Sequence, residues 1–224
     1  MSKNRTVTVC CPECKKESEF TVWDSINTSI DPDMEAKVRD RSAFLFHCPD
    51  CGGETYLDYS FLYHNMDKKL MIQYADTDEA AAEFIGALEE SWSTDIFSSL
   101  KDNDYTIRVT RSRDRLLEKL LIFDKGLDDR LIEIYKFIVM LRYRQDRKEC
   151  NDPVLFFYSD DSGKMAVFIY EDGEYICSSQ FSDEVYNDLS LKYADKLPEF
   201  HKGVMLADEN WAYNFLTGNV DGEE

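Results

Sequence analysis

The chain is 224 residues long, 43% apolar and 13% aromatic, with a formal net charge of −19. That much apolar and aromatic material can bury a core, which excludes a disordered chain, and the acidic excess repels phosphate backbones, which argues against general nucleic-acid binding. Apolar runs stay short of the roughly 20 residues that span a bilayer, and no apolar leader follows Lys3 and Arg5, so a cytoplasmic protein without membrane association is expected.

The first third is organised by two copies of one pattern, Cys11-Pro12-Glu13-Cys14 and Cys48-Pro49-Asp50-Cys51. Two residues between cysteines let a tight turn aim both thiolates at one point, and two such turns complete a tetrahedral four-sulfur shell suited to Zn²⁺. Cys11, Cys14, Cys48 and Cys51 are therefore the expected zinc ligands. Around them, Arg5 to Cys10, Glu19 to Trp23, Ala43 to His47 and Glu54 to Asp58 alternate like strands. Within the long spacer, Asp31-Pro32-Asp33 offers an N-cap, a proline at the first helical position and an acid in the first turn, predicting a short helix through about Arg41. The pattern is that of a zinc ribbon with a helical insert. Gly52 and Gly53 follow the second pair, where a knuckle needs backbone freedom, whereas Lys15 and Lys16 follow the first and make it the less ideal turn.

Through these residues, together with Phe20-Thr21-Val22-Trp23, Ile26-Asn27, Asp31-Pro32 and the run Phe61-Leu62-Tyr63-His64-Asn65-Met66-Asp67-Lys68-Lys69, the chain resembles the CpXC-motif proteins of bacteria and archaea. The segment Glu118 to Lys136 is similar to the downstream region of longer members. The resemblance implies a metal-binding fold and carries over no catalytic residue.

The redox alternative, a thioredoxin-like dithiol, needs its cysteine pair at the start of a helix, and Lys15 to Trp23 reads as strand. An iron–sulfur site is the remaining alternative. Cys10 could serve as a spare ligand or disulfide partner but reads as a strand-end cysteine. His47 precedes Cys48 and so points to the opposite face. Cys150 and Cys177 match no spacing and are left unassigned.

Beyond residue 75, Asp76-Thr77-Asp78-Glu79 begins a helix through about residue 90, with Phe84, Ile85 and Leu88 at helical spacing. Tyr105 to Thr110 reads as a strand. Ser112 then caps a helix carrying Leu116, Leu117, Leu120 and Leu121 and ended by Gly126, and Asp128 caps another through about Arg147, with the stripe Leu131, Ile134, Tyr135, Ile138 and Leu141. These two are read as a helical hairpin. The acidic turn Asp124, Asp128, Asp129 lacks EF-hand spacing and is explained by caps.

The last third is rich in aromatic and β-branched residues. Val154 to Tyr158, Lys164 to Tyr170 and Tyr175 to Ser179 form a three-stranded meander, joined through Asp160-Asp161-Ser162-Gly163 and through Asp172-Gly173, the latter pair favouring a type I′ hairpin. Ser182 caps a helix through about Lys196, and Asp208 to Leu216 forms the last one. The expected architecture is α+β: a four-cysteine zinc ribbon over 1–75, a helical region over 76–149, an antiparallel β-meander with helices over 150–217 and a polar tail over 218–224.

Catalytic motifs are lacking, since His47, His64 and His201 are the only histidines and fit none of the hydrolase patterns. His64 is the one to watch, because Tyr63, Asn65, Asp67, Lys68 and Lys69 gather polar chemistry around it, although a turn or helix-start histidine without function is the simpler reading. The leading expectation is a non-enzymatic module in which zinc rigidifies a surface for a protein partner. The alternatives are an enzyme with a pocket near His64 and nucleic-acid binding through Arg108, Arg111, Arg113, Arg115, Arg142, Arg144 and Arg147; for these arginines, ion-paired helix faces are expected. Residues 150–224 carry −12 and residues 1–75 only −3, so any electrostatic steering of a basic partner belongs to the C-terminal third.

Overall fold

The computed structural model describes residues 2–91, 104–147, 151–198 and 206–218. It is a mixed α+β protein with six helices and three sheets among those residues, divided into two compact units, Met1–Arg113 and Asp114–Glu224. Cys150, His201 and most of the expected polar tail lie outside the described residues.

The first unit is built on a five-stranded sheet in the order β1-β2-β5-β6-β7. Strands β1 (Lys3–Cys10) and β2 (Glu17–Asn27) form an antiparallel hairpin in the register Val7↔Phe20 and Cys10↔Glu17. β2 runs four residues past the expected Trp23 because its far end finds a second partner: Ser25, Ile26 and Asn27 pair in parallel with Leu62, Tyr63 and His64 of β5 (Phe61–Asn65). β5 pairs antiparallel with β6 (Leu70–Tyr74), and β6 in parallel with β7 (Thr106–Thr110). His64 thus lies within a strand, not at a turn or helix start.

In β5 and β6 alternate side chains are buried, and Phe61, Tyr63, Leu70, Ile72 and Tyr74 line the inner face. Phe44 and Tyr59 pack on Phe61, with ring centroids 5.2 Å apart for the Phe44 pair. Emptying such a site by Phe→Ala costs about 3–5 kcal/mol. Helix α1 (Pro32–Arg39) follows β2 with Pro32 in its first turn, burying Met34 and Val38. Asp31 stands at its N-cap position without a side-chain capping bond, and its carbonyl accepts from Met34 N–H instead. The second sheet is a short hairpin of β3 (Leu45–His47) and β4 (Glu54–Tyr56). Helix α2 (Asp78–Ser91) starts where the Thr77 hydroxyl accepts from Ala80 N–H at 3.1 Å. Because β7 lies in register with β6, the chain beyond residue 75 stays in the same unit as far as Arg113.

The second unit joins helices α3 (Arg113–Asp124) and α4 (Asp129–Gln145) through a turn in which Gly126 takes φ 67°. Asp128 caps α4 by accepting from Arg130 N–H. The meander follows in the order β10-β9-β8: β8 (Val154–Ser159), β9 (Met165–Glu171) and β10 (Glu174–Gln180), antiparallel throughout. Asp172 and Gly173 both have positive φ, 52° and 81°, as a type I′ turn requires. Ser182 caps α5 (Asp183–Tyr193), whose chain tightens into a 3-10 turn over Ala194–Lys196, and Asp208 caps α6 (Glu209–Thr217).

Ile132, Ile134, Phe157, Val167, Phe181 and Ala212 lie in the core of this unit. Of the expected α4 stripe, Leu131, Ile134 and Tyr135 are buried, but Leu141 is 43% exposed. Charged residues are buried between the two helices. Glu118, Lys119, Asp129, Glu133 and Lys136 are each at most 4% exposed, and they tie α3 to α4. Lys119 Nζ reaches Asp129 at 2.9 Å and Glu133 at 3.1 Å, and Lys136 Nζ reaches Glu118 and Glu133, both at 2.9 Å.

Candidate metal centre

The two Cys-Pro-x-Cys segments fold into the same turn. In the first, Cys11 N–H donates to Lys16 O at 2.9 Å and Lys15 N–H to Cys11 O at 3.0 Å; in the second, Cys48 N–H donates to Gly53 O at 2.8 Å and Gly52 N–H to Cys48 O at 2.9 Å. The first turn closes the β1–β2 hairpin and the second the β3–β4 hairpin. Each hairpin therefore presents one cysteine pair to the other.

The Sγ atoms of Cys11, Cys14, Cys48 and Cys51 all lie within 4.8 Å of one another. Cys11 to Cys51 and Cys14 to Cys48 are each 3.7 Å. A regular tetrahedron with metal–sulfur bonds of about 2.3 Å has edges of about 3.8 Å, so four sulfurs at this spacing can surround one metal ion. The same distance is far above the roughly 2.05 Å of a disulfide.

Cys11 and Cys48 are buried, at 1% and 0% exposure, against Phe46, with Val9, Phe20 and Leu57 packed beside them. Cys51 is exposed. Phe20 meets Phe46 edge-on at 6.0 Å, which fixes the floor below the sulfurs. Across the outer side, Lys16 Nζ binds Asp50 Oδ1 at 2.5 Å, joining the two turns by a charge pair. The Glu13 carboxylate lies against Gly53, so a Cβ there would require the exposed Glu13 side chain to move aside.

Electrostatics in the shell divide the thiols. The Cys14 backbone N–H stabilises a thiolate at Cys11 and, against burial, holds its pKa at about 7. At Cys51 the Gly53 backbone N–H also favours the thiolate, but burial and the neighbouring Cys14, Cys48 and Cys11 push the pKa up to about 12. Cys14 is likewise raised: the Lys16 N–H lowers it, and burial with Cys48 and Cys11 outweighs that. Four sulfurs this close resist successive ionisation, and a cation among them removes the resistance.

Cys10 is exposed, with its sulfur 3.6 Å from Lys15 O, and is not part of the cluster. His47 faces away and meets Glu54 at 3.3 Å. Cys177 lies on β10 in the second unit. Of the acidic turn, Asp128 is engaged by Arg130 and Asp129 by Lys119.

His64 is half-buried between Asn27 and Tyr105, with Nδ1 3.5 Å from Asn27 Nδ2 and Nε2 3.1 Å from Tyr105 OH. Asn27 Oδ1 accepts from Ser29 N–H, which turns its amide nitrogen toward the ring. Nδ1 is then the acceptor and Nε2 carries the proton. Burial holds the His64 pKa below its ordinary value.

Of the arginines that could have formed a basic face, five have partners within the chain, whereas Arg142 is exposed on α4 and Arg147 lies exposed over the Tyr143 ring. Arg108 is buried on β7, Arg111 donates to Ala75 O and Thr77 O and pairs with Asp78, and Arg113 pairs with Asp58 at 3.0 Å and lies over Phe44. Arg115 pairs with Glu118 and Glu209, and Arg144 with Asp152.

Fold and cluster together define an α+β protein with a four-cysteine site at its N-terminal end, compatible with metal binding. The chain belongs to the CpXC protein family, whose model matches residues 9–136. No curated protein and no solved structure matches it.

Proposed function

We propose that Cys11, Cys14, Cys48 and Cys51 hold one zinc ion in a structural zinc-ribbon centre, and that the protein is a non-enzymatic module whose zinc-rigidified surface is read by a protein partner. The observation that carries the metal reading is the 3.7 Å spacing of the paired sulfurs. An all-sulfur tetrahedral shell suits Zn²⁺, and an iron–sulfur cluster would spread its thiolates around a larger cage. With four protein ligands the ion has no open position for water or substrate, which favours a structural over a catalytic role. The engagement of Arg108, Arg111, Arg113 and Arg115 within the chain favours a protein partner over a nucleic acid.

Elemental analysis of the purified protein should find one zinc per chain, and Cys48→Ser should lose it together with the β3–β4 hairpin. Structural zinc in small modules supplies roughly 10–16 kcal/mol of apparent binding free energy, more than three buried residues can replace. Absence of stoichiometric metal, or a Cys48→Ser protein unchanged in metal content and hairpin structure, overturns the reading. A partner bound equally well by wild type and by metal-free Cys48→Ser overturns the second half of it.

A further inference from the structure

The second unit contains a cleft of about 410 Å³ among α3, α4, α6 and the chain entering β8, within the range of small-ligand pockets. Its wall is apolar where Phe137 and Met140 of α4 face Leu155 and Tyr213, and the Phe137 and Tyr213 rings approach to 6.0 Å. Its polar side carries Arg115 together with Lys136, Asn210 and the exposed Arg144–Asp152 pair, and Arg115 is the most buried cation that has a replaceable partner. That guanidinium is only 17% exposed, lies 4.5 Å over the Phe156 ring, and gives one arm to Glu118 at 2.9 Å and to Leu155 O at 2.6 Å. Its other arm meets Glu209 at 3.1 Å, and Glu209 is 58% exposed.

Charges behind the cleft are already balanced. Arg115, Lys119 and Lys136 face Glu118, Asp129 and Glu133, so Glu209 is a carboxylate beyond what the buried cluster needs. A mostly exposed side chain on a largely buried guanidinium is easily replaced, since a surface ion pair of this kind is worth at most about 1 kcal/mol. Glu209 and Asn210 are also the first residues of α6, which places the positive end of its dipole at the cleft wall.

We propose that this cleft binds a small carboxylic acid with an aliphatic or aromatic body. The carboxylate takes the place of Glu209 on Arg115, beside the start of α6, and the body lies along Phe137, Met140, Leu155 and Tyr213. A charge-assisted contact to the guanidinium arm that Glu209 now occupies gives the orientation, and the apolar wall gives the preference for a hydrophobic body.

Calorimetric titration of the full chain with octanoate and 4-phenylbutyrate, each against its matched neutral alcohol, tests this. At least one acid should bind saturably at one site, with its alcohol roughly tenfold weaker, the loss of about one charge-assisted hydrogen bond. Arg115→Gln would take one of the two cations from buried Glu118 and could unfold the unit, so the deciding variant is Glu209→Gln, which removes only the exposed competitor. It should tighten acid binding several-fold, and Tyr213→Ala should weaken it. Absence of saturable binding in both wild type and Glu209→Gln, alcohols binding as well as acids, or Glu209→Gln binding no tighter than wild type overturns the proposal.

Discussion

Lys15 and Gly52 occupy the same place in the two cysteine turns, with φ of 62° and 75° and the same hydrogen bond back to the first cysteine carbonyl. A side chain in this left-handed region costs about 1–2 kcal/mol that glycine avoids. Gly52→Ala should therefore weaken metal retention by roughly five- to thirtyfold in a chelator competition, because about 1.4 kcal/mol is one decade. Lys15→Gly should strengthen it by less, since glycine also loses more freedom on folding. Equal retention in all three proteins would show that the turn backbone is not strained against the shell. The cysteine spacing makes this pairing of turns legible in the sequence, but two lysines after Cys14 point to a poorer turn. What overrides them is the closure of β1 onto β2, which forces Lys15 into the conformation that glycine adopts freely. His64 is harder to read, because its partner Asn27 comes from a strand far away in sequence and the parallel pairing that joins them leaves no local signature.

Helices α3 and α4 are legible from their caps and from Gly126, and the meander from its turns, all local signals. The ionic layer between the two helices is not, because Glu118, Lys119, Glu133 and Lys136 look like ordinary surface pairs at helical spacing. A signal is present in α4: from Leu131 to Met140 every residue but Glu133 and Lys136 is apolar, and a helix apolar all round is buried all round, charges included. Burial would lower the Lys119 pKa, but Asp129 and Glu133 raise it above 10.5; burial would raise Glu118, but Lys136 and Arg115 hold it below 4.5. The lysine contribution is full below pH 10.5 and is lost as pH rises through its folded value, whereas the Glu118 contribution is full above pH 4.5 and is lost as pH falls through its own. Denaturant unfolding should thus show a plateau between those limits with losses on both sides. Lys119→Met should lower the plateau by about 3–5 kcal/mol, since it takes the Lys119 cation from buried Asp129 and leaves Glu133 with Lys136 alone. A variant as stable as wild type, with an unchanged alkaline limb, would mean that the layer is hydrated and contributes little.

At the scale of the whole molecule, the −19 charge and the internal engagement of Arg108, Arg111, Arg113 and Arg115 oppose phosphate binding together. Anisotropy titrations with duplex DNA at about 0.15 M salt should show no specific complex, and a tight one with a steep salt slope would reverse the assignment of partner class. The buried clusters differ in what holds them. The second unit has a broad apolar core drawn from α3 to α6 and the meander, whereas Cys11, Phe46 and Cys48 are the whole of the buried cluster under the four sulfurs. A cluster that thin cannot offset the ordering entropy of two hairpins without a cross-link at its centre. Stripping the metal from the intact chain should therefore raise amide exchange at the knuckle ends of β1 and β2 and throughout β3 and β4. Ile132, Ile134, Val167 and Ile169 should keep their protection, because no residue of the sulfur shell belongs to their core. Loss of protection at those four together with the knuckles would mean that the metal stabilises the molecule as one cooperative body, and an unchanged pattern would mean that the shell is dispensable to the fold.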